Sequence, residues 1–181
     1  HDLDPDWIAN FFKKCDSVSD RDMQTLWARL LSGEATKPGT FSKRTVECVS
    51  CLEKSDANLF TLLCQFVWTI GDATSVVLDY SKDVYSKGGI TFDALSHLDS
   101  IGLLSFDPGI GGYLKTKIPK YGRVRYFDRE VLIEFPLEAD NKIPCGHTLL
   151  SKVGKELAPI AGASANYDFY EYVVGEWYQQ G

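Results

Sequence analysis

The sequence predicts an α+β fold that is mostly helical: an N-terminal helical bundle over residues 1–70, followed by a winged-helix-like module with a β-hairpin wing over residues 71–181. The two parts are expected either as separate domains or as one compact unit. Two observations lead there. Apolar residues recur at helical spacing from Trp7 to Val67, whereas from Gly71 onward short apolar runs alternate with Gly- and Pro-rich turns. Between Gly88 and Gly162 the order is then helix, strand, hairpin, helix, which is the order of a winged helix.

In the first half, Asp6 to Lys14 places Trp7, Ile8, Phe11 and Phe12 on one helical face. Ser19 has the character of an N-cap, with Val18 before it as a staple residue and Asp22 in the first turn. Met23, Leu26, Trp27, Leu30 and Leu31 form the next stripe, and Gly33 is expected to end it. After the turn at Lys37-Pro38-Gly39, Ser42 restarts a helix carrying Val46, Val49 and Leu52. Ser55 is read as the cap of a further helix, Asp56 to about Ile70, with Leu59, Leu62, Leu63, Phe66 and Val67 inward.

In the second half, residues 75–80 (SVVLDY) fit either a strand or a short helix. Thr91 caps a helix with Phe92, Leu95, Leu98 and Ile101 on its apolar face, stopped at Gly102. Leu103 to Phe106 reads as a strand, and Asp107-Pro108-Gly109 with Gly111-Gly112 supplies turn chemistry. Tyr113 to Ile118 is a short strand and Arg123 to Phe135 a longer one, while Ile143 to Gly146 reads as a connection. Ser151 caps a helix through Val153, Leu157 and Ile160 that ends at Gly162, and a last helix begins near Asn166. The strings SIGLLSF (100–106) and TLLSKVGKEL (148–157) match the exit of a recognition helix and the segment after a wing.

Residues 26–60, LWARLLSGEATKPGTFSKRTVECVSCLEKSDANLF, carry a family resemblance. They resemble a bacterial domain-of-unknown-function family (number 2806), whose members carry LWA-x-LL-x-GE, then PG-x-FS-x-RT, then L-x-x-x-(D/E)A-x-x-F. The three pieces stand at Leu26–Glu34, Pro38–Thr45 and Leu52–Phe60. A more distant similarity, in helix order and in the Gly146–Leu157 region, is to the abortive-infection alpha proteins of phage defence. The nearer family has no assigned activity, so the resemblance implies no catalytic residues.

Composition excludes several classes. Hydrophobic residues at 44% and charged residues at 24% are ordinary globular values. The longest apolar run, Leu59 to Ile70, is interrupted by Thr61, Gln65 and Thr69 and falls short of a membrane span. Five scattered cysteines favour reduced thiols and a cytoplasmic location over a disulfide framework. No signal-peptide pattern opens the chain, and its start at His1 leads us to expect a piece of a longer protein.

No constellation points to catalysis or to a cofactor. Cys48 and Cys51 have C-x-x-C spacing, and Cys145 with His147 would complete a Cys3His zinc set in space. The pair falls inside a helical pattern without a second pair nearby, so small residues on a helix face are the simpler reading. His97 is expected on the exposed flank of its helix beside Asp99, and no G-x-S-x-G string accompanies it. The Gly109-Ile110-Gly111-Gly112-Tyr113 stretch leads toward a strand rather than into a helix N-terminus, so it is a hairpin tip and not a phosphate cradle. Glu134 and Glu138 read as a solvated strand end.

Charge is uneven. The net charge is −6, yet residues 113–130 hold Lys115, Lys117, Lys120, Arg123, Arg125 and Arg129 against only Asp128 and Glu130. Lys115, Lys117, Lys120, Arg123 and Arg125 are therefore the candidate contact residues, either for phosphate or for an acidic protein surface. The helix that would enter a major groove contains Asp93 and Asp99 and neither Lys nor Arg. That favours a non-enzymatic protein-interaction or regulatory module of a bacterial protein, with phage defence or stress as the setting the resemblance implies. The alternative is a winged-helix DNA-binding transcriptional regulator that contacts phosphate through the 113–130 wing.

Overall fold

The computed structural model describes residues 3–16, 18–109 and 111–179. His1 and Ile110 lie outside the described residues. Among the described residues there are eight α-helices, a 3₁₀ turn and eight strands, all ladders between strands being antiparallel.

The first helix, α1 (Pro5–Cys15), starts where Asp4 accepts a hydrogen bond from the Asp6 N–H at 2.9 Å and Pro5 supplies a pre-set first turn. It buries Trp7 and Phe11, one helical turn apart and stacked at 5.2 Å, with Phe11 edge-on to Trp27 of the next helix. That helix, α2 (Arg21–Thr36), is capped by Asp20, which accepts from Asp22 and Met23, and not by Ser19 as expected. It also runs past Gly33. A Cβ at Gly33 would sit 2.7 Å from the Phe41 ring, so this glycine makes room for an aromatic side chain rather than ending a helix.

Ser42 caps α3 (Lys43–Cys51) as expected. The next helix, α4 (Lys54–Cys64), begins at Glu53 instead of Ser55, with the Glu53 N–H donating to the Asp56 carboxylate at 2.9 Å. It stops at Cys64, short of the expected Ile70. Val67–Ile70 (VWTI) is instead strand β1, turned by Gly71 at φ 77° into strand β2 (Asp72–Ser75). An apolar run of this kind fits either state locally. Its β-branched and aromatic residues fit the pleat, and pairing decides.

Val76 and Val77 then run extended and fully buried. The Val77 N–H donates to Cys145 O at 2.9 Å, and Val77 O accepts from the His147 N–H at 2.8 Å. A one-turn helix, α5 (Asp83–Ser86), buries Tyr85, whose hydroxyl donates to Val76 O and accepts from the Leu78 N–H. Thr91 caps α6 (Phe92–Ser100), and Gly102 at φ 78° turns the chain into strand β3 (Leu104–Phe106).

The segment expected to form a wing differs from a simple hairpin. Strand β4 (Tyr113–Ile118) does not pair with the following strand; its partner is β7 (Asn141–Gly146), the segment expected as a connection. The expected long strand at Arg123–Phe135 is two strands, β5 (Tyr121–Tyr126) and β6 (Arg129–Glu134), joined across Phe127 and Asp128. Phe127 turns at φ 49°, a conformation that a local β-propensity reading does not anticipate. Strand β8 (Thr148–Leu150) pairs with β3 and leads into the Ser151-capped α7 (Lys152–Leu157), a 3₁₀ turn at Ala158–Ile160 and α8 (Tyr167–Gln179).

One four-stranded sheet, in the order β2-β1-β5-β6, joins strands from before and after residue 71, because Thr69 of β1 faces Arg125 of β5. Its inner face presents Trp68, Ile70, Val124 and Tyr126, covered by α8: Tyr170 stacks on Trp68 at 5.5 Å and Phe169 packs on Tyr126. Buried apolar residues from Trp7 to Val173 form one continuous cluster.

Candidate functional site

The five basic residues singled out in the sequence lie on β4, β5 and the turn between them, but in different electrostatic states. Lys115 pairs with Asp72, which Lys155 of α7 also holds at 2.6 Å. Burial alone would raise the Asp72 carboxyl, but the two ammonium groups outweigh it and hold it below the usual carboxylate range. Lys120 pairs with Glu138 at 2.7 Å and Arg123 with Glu130 at 2.8 Å. Lys117 and Arg125 have no ion-pair partner among the described residues; Lys117 sits at φ 59° where the β4–β7 register shifts.

On β5 the side chains alternate strictly. Gly122, Val124 and Tyr126 are buried, while Tyr121, Arg123 and Arg125 face outward. Opposite them on β6 stand Glu134, Leu132 and Glu130. Tyr121 is 57% and Leu132 65% exposed, so this outer face is part cationic, part acidic and apolar at its centre.

The residues that carry the family resemblance form a second constellation, and sequence reasoning gave them no role. Glu34 is 2% exposed, and its two carboxylate oxygens accept the Gly39 N–H at 2.6 Å and the Phe41 N–H at 2.9 Å. One side chain thus fixes the whole Pro38-Gly39 turn. Immediately beyond, the Glu156 carboxylate of α7 accepts from the Ser42 N–H at 2.7 Å, the Ser42 hydroxyl at 3.1 Å and the Thr45 hydroxyl at 2.5 Å. The G-E and P-G-x-F-S-x-R-T strings therefore describe a turn held by two carboxylates. The signal in the sequence was an acid in the last turn of a helix, where the dipole disfavours it unless N–H groups receive it.

The zinc set does not assemble. No three His, Cys, Asp or Glu residues converge to hold a metal ion among the described residues, and all five cysteines are free thiols. Cys48 is half-buried on α3 and Cys51 exposed beside it, whereas Cys145 is buried in β7. Burial pushes the thiols of Cys48, Cys64 and Cys145 up, so they stay protonated. His147 is tied by Nδ1 to the Asp107 carbonyl at 2.9 Å.

His97 is exposed on the flank of α6, as expected, and places Nε2 2.7 Å from Asp56, joining α6 to α4. Burial would raise the Asp56 carboxyl, but the His97 ring and the Glu53 N–H prevail and lower it. Asp99 does not join them; it accepts the Phe106 N–H at 3.1 Å and fixes the exit from α6. The His97–Asp56 pair thus ties α6 to α4, and Asp99 ties the exit of α6 to its own helix.

No described helix is long and apolar enough to cross a membrane. The sequence model of a family described as "Protein of unknown function (DUF2806)" matches residues 1–174. No curated protein and no solved structure matches the chain.

Proposed function

The chain belongs to the DUF2806 family of unknown function, and from that premise we propose that it is a non-enzymatic protein-interaction or regulatory module whose second half works as a winged-helix-like unit. In this reading α6 is the helix before the wing, β3–β4 and β7–β8 are the wing's outbound and return strands, and α7 follows it. The β5–β6 hairpin is an insertion at the wing's tip that reaches back to β1.

The observation that carries the proposal is the pairing of the wing's cations. Phosphate affinity grows with the number of cations free to displace counterions. Here Lys115, Lys120 and Arg123 are each held by a carboxylate of this same chain, and only Lys117 and Arg125 are left without one among the described residues. The same surface exposes Tyr121 and Leu132, and α6 carries Asp93 and Asp99 with neither Lys nor Arg. A mixed surface with an apolar centre suits a protein partner. The DNA-binding alternative would have to break three ion pairs and bring two carboxylates toward a groove.

A bacterial setting in phage defence or stress belongs to the proposal and rests on the resemblance of the Gly146–Leu157 region to abortive-infection alpha proteins. A cytoplasmic location goes with it, supported by the free cysteines. The test is a photo-crosslinking amino acid placed at Leu132 in cells of the organism that encodes the chain. A discrete protein adduct, lost when Tyr121 is changed to Ala, is expected. Adducts to nucleic acid alone, or none at all, would remove the proposal.

A further inference from the structure

Away from the wing's outer face, a cavity of about 360 Å³ opens between the Asp79 turn, the Gly112–Tyr113 start of β4 and α8. Three aromatic rings stand in its wall: Tyr113, His147 and Tyr172. Two carboxylates, Asp79 and Glu176, and one ammonium group, Lys82 beside Asp79, supply its charges. The rings are held in place from behind. His147 is tied to the Asp107 carbonyl at 2.9 Å and packs edge-on to Tyr80 at 5.4 Å, while Tyr172 packs edge-on to Tyr85 at 6.0 Å.

The two carboxylates differ. Asp79 accepts from the Ser81 N–H and hydroxyl and has the exposed Lys82 at 3.9 Å, so it is partly satisfied. Glu176 is half-buried and has no ion-pair partner among the described residues. Both act on the same ring: the Tyr172 phenol is pushed up to about 12 by burial first, then by Glu176 and Asp79. A half-buried carboxylate beside aromatic rings is an unfavourable arrangement by itself, and a cation between them relieves it.

We infer that this cavity seats an arginine side chain presented by a protein partner. The guanidinium is planar, weakly hydrated and forked, so it stacks on tyrosine and histidine rings while donating to a carboxylate at its edge. An ammonium group meets the same charges without the stacking and gives up more hydration. The surrounding stretch favours approach of a cation, since residues 71–112 hold six Asp against two Lys. The metal reading fails on geometry, because no three ligating groups converge among the described residues. The inference rests on the reading of the chain as a protein-interaction module and adds the chemistry of the partner.

The experiment titrates the isotopically labelled chain with acetyl-Gly-Arg-Gly-amide at physiological salt, following the backbone amides of Gly112 and Gly146 by NMR. Saturable shifts at both are expected, with affinity weakened about fivefold or more in Glu176→Gln. The peptide with citrulline in place of arginine, which keeps the shape and loses the charge, is expected to leave both amides unmoved. The lysine peptide is expected to bind about threefold or more weakly. Absence of shifts with the arginine peptide, equal binding of the citrulline or lysine peptide, or unchanged affinity in Glu176→Gln would overturn the assignment. Tyr113→Leu is the second variant, used if Glu176→Gln loses its dispersed spectrum; it should weaken the arginine peptide and leave the lysine peptide little changed. A failure here together with a protein adduct at Leu132 would remove the arginine pocket and leave the interaction module standing.

Discussion

Replacing Glu34 with Ala tests the carboxylate-held turn most severely. The side chain is 2% exposed and serves two N–H groups, Gly39 at 2.6 Å and Phe41 at 2.9 Å. The two losses are unequal. Gly39 is exposed, so water replaces the lost acceptor and only a charge-assisted bond disappears, at a cost of about 1 kcal/mol. Phe41 is 3% exposed, and its N–H is left unpaired inside the protein, which costs about 2 kcal/mol. The sum, about 3 kcal/mol, corresponds to a fall in Tm of roughly 6–12 °C for a chain of this size. Glu34→Gln should lose less, about 1 kcal/mol, because its one amide oxygen can still serve the buried Phe41 N–H while the NH2 faces the exposed Gly39 side. Urea denaturation followed by tryptophan fluorescence gives the free energies, with an unchanged slope confirming that the unfolding reaction is the same. A loss below about 1 kcal/mol in Glu34→Ala would refute the reasoning, since it would mean that neither N–H depends on the carboxylate.

Three further outcomes follow from the geometry. Gly146→Ala would place a Cβ 1.9 Å from Val77 O at φ 81°, so Val77 and β7 must separate; a destabilisation of about 3 kcal/mol or more is expected by the same denaturation assay. Asp56 and Asp72 have folded-state pKa values below the ordinary range, so near and below about pH 4 the unfolded chain binds more protons than the folded one. Stability is therefore fully present above about pH 4 and falls as pH drops further; Asp72→Asn should flatten that fall in an acid titration followed by circular dichroism. Purified protein should carry far less than one equivalent of zinc per chain by elemental analysis, and Cys48→Ser with Cys51→Ser should leave stability within about 1 kcal/mol.

The helices are legible in the sequence wherever one face is apolar and one side chain caps the start. Ser42, Thr91 and Ser151 all have that character, and each caps its helix by a bond to an N–H three residues on. The departures share a physical origin. VWTI at 67–70 carries an apolar pattern that serves a helix or a strand equally, and only its partners Ser75 to Asp72 and Arg125 decide between them. Ile143 to Gly146 is obscured by Pro144 and Gly146, yet the strand forms because Gly146 allows Val77 to approach. Gly33 has the look of a helix terminator, whereas its role is space for Phe41, a tertiary fact. The Glu156–Ser42 tie spans 114 residues and the His97–Asp56 pair spans 41, separations that no local pattern reports. The basic segment is visible at once, but its partners Asp72, Glu130 and Glu138 are identifiable only in three dimensions.

The measurement closest to the central claim is equilibrium binding of labelled duplex DNA, single-stranded DNA and RNA to the chain at about 50 mM salt, where phosphate contacts are strongest. With Lys115, Lys120 and Arg123 already paired, no saturable binding tighter than about 10⁻⁴ M is expected, and Lys117→Glu with Arg125→Glu should change nothing. Saturable binding that falls steeply with salt and is abolished in the double variant would contradict the account and restore residues 113–130 as a phosphate-binding surface.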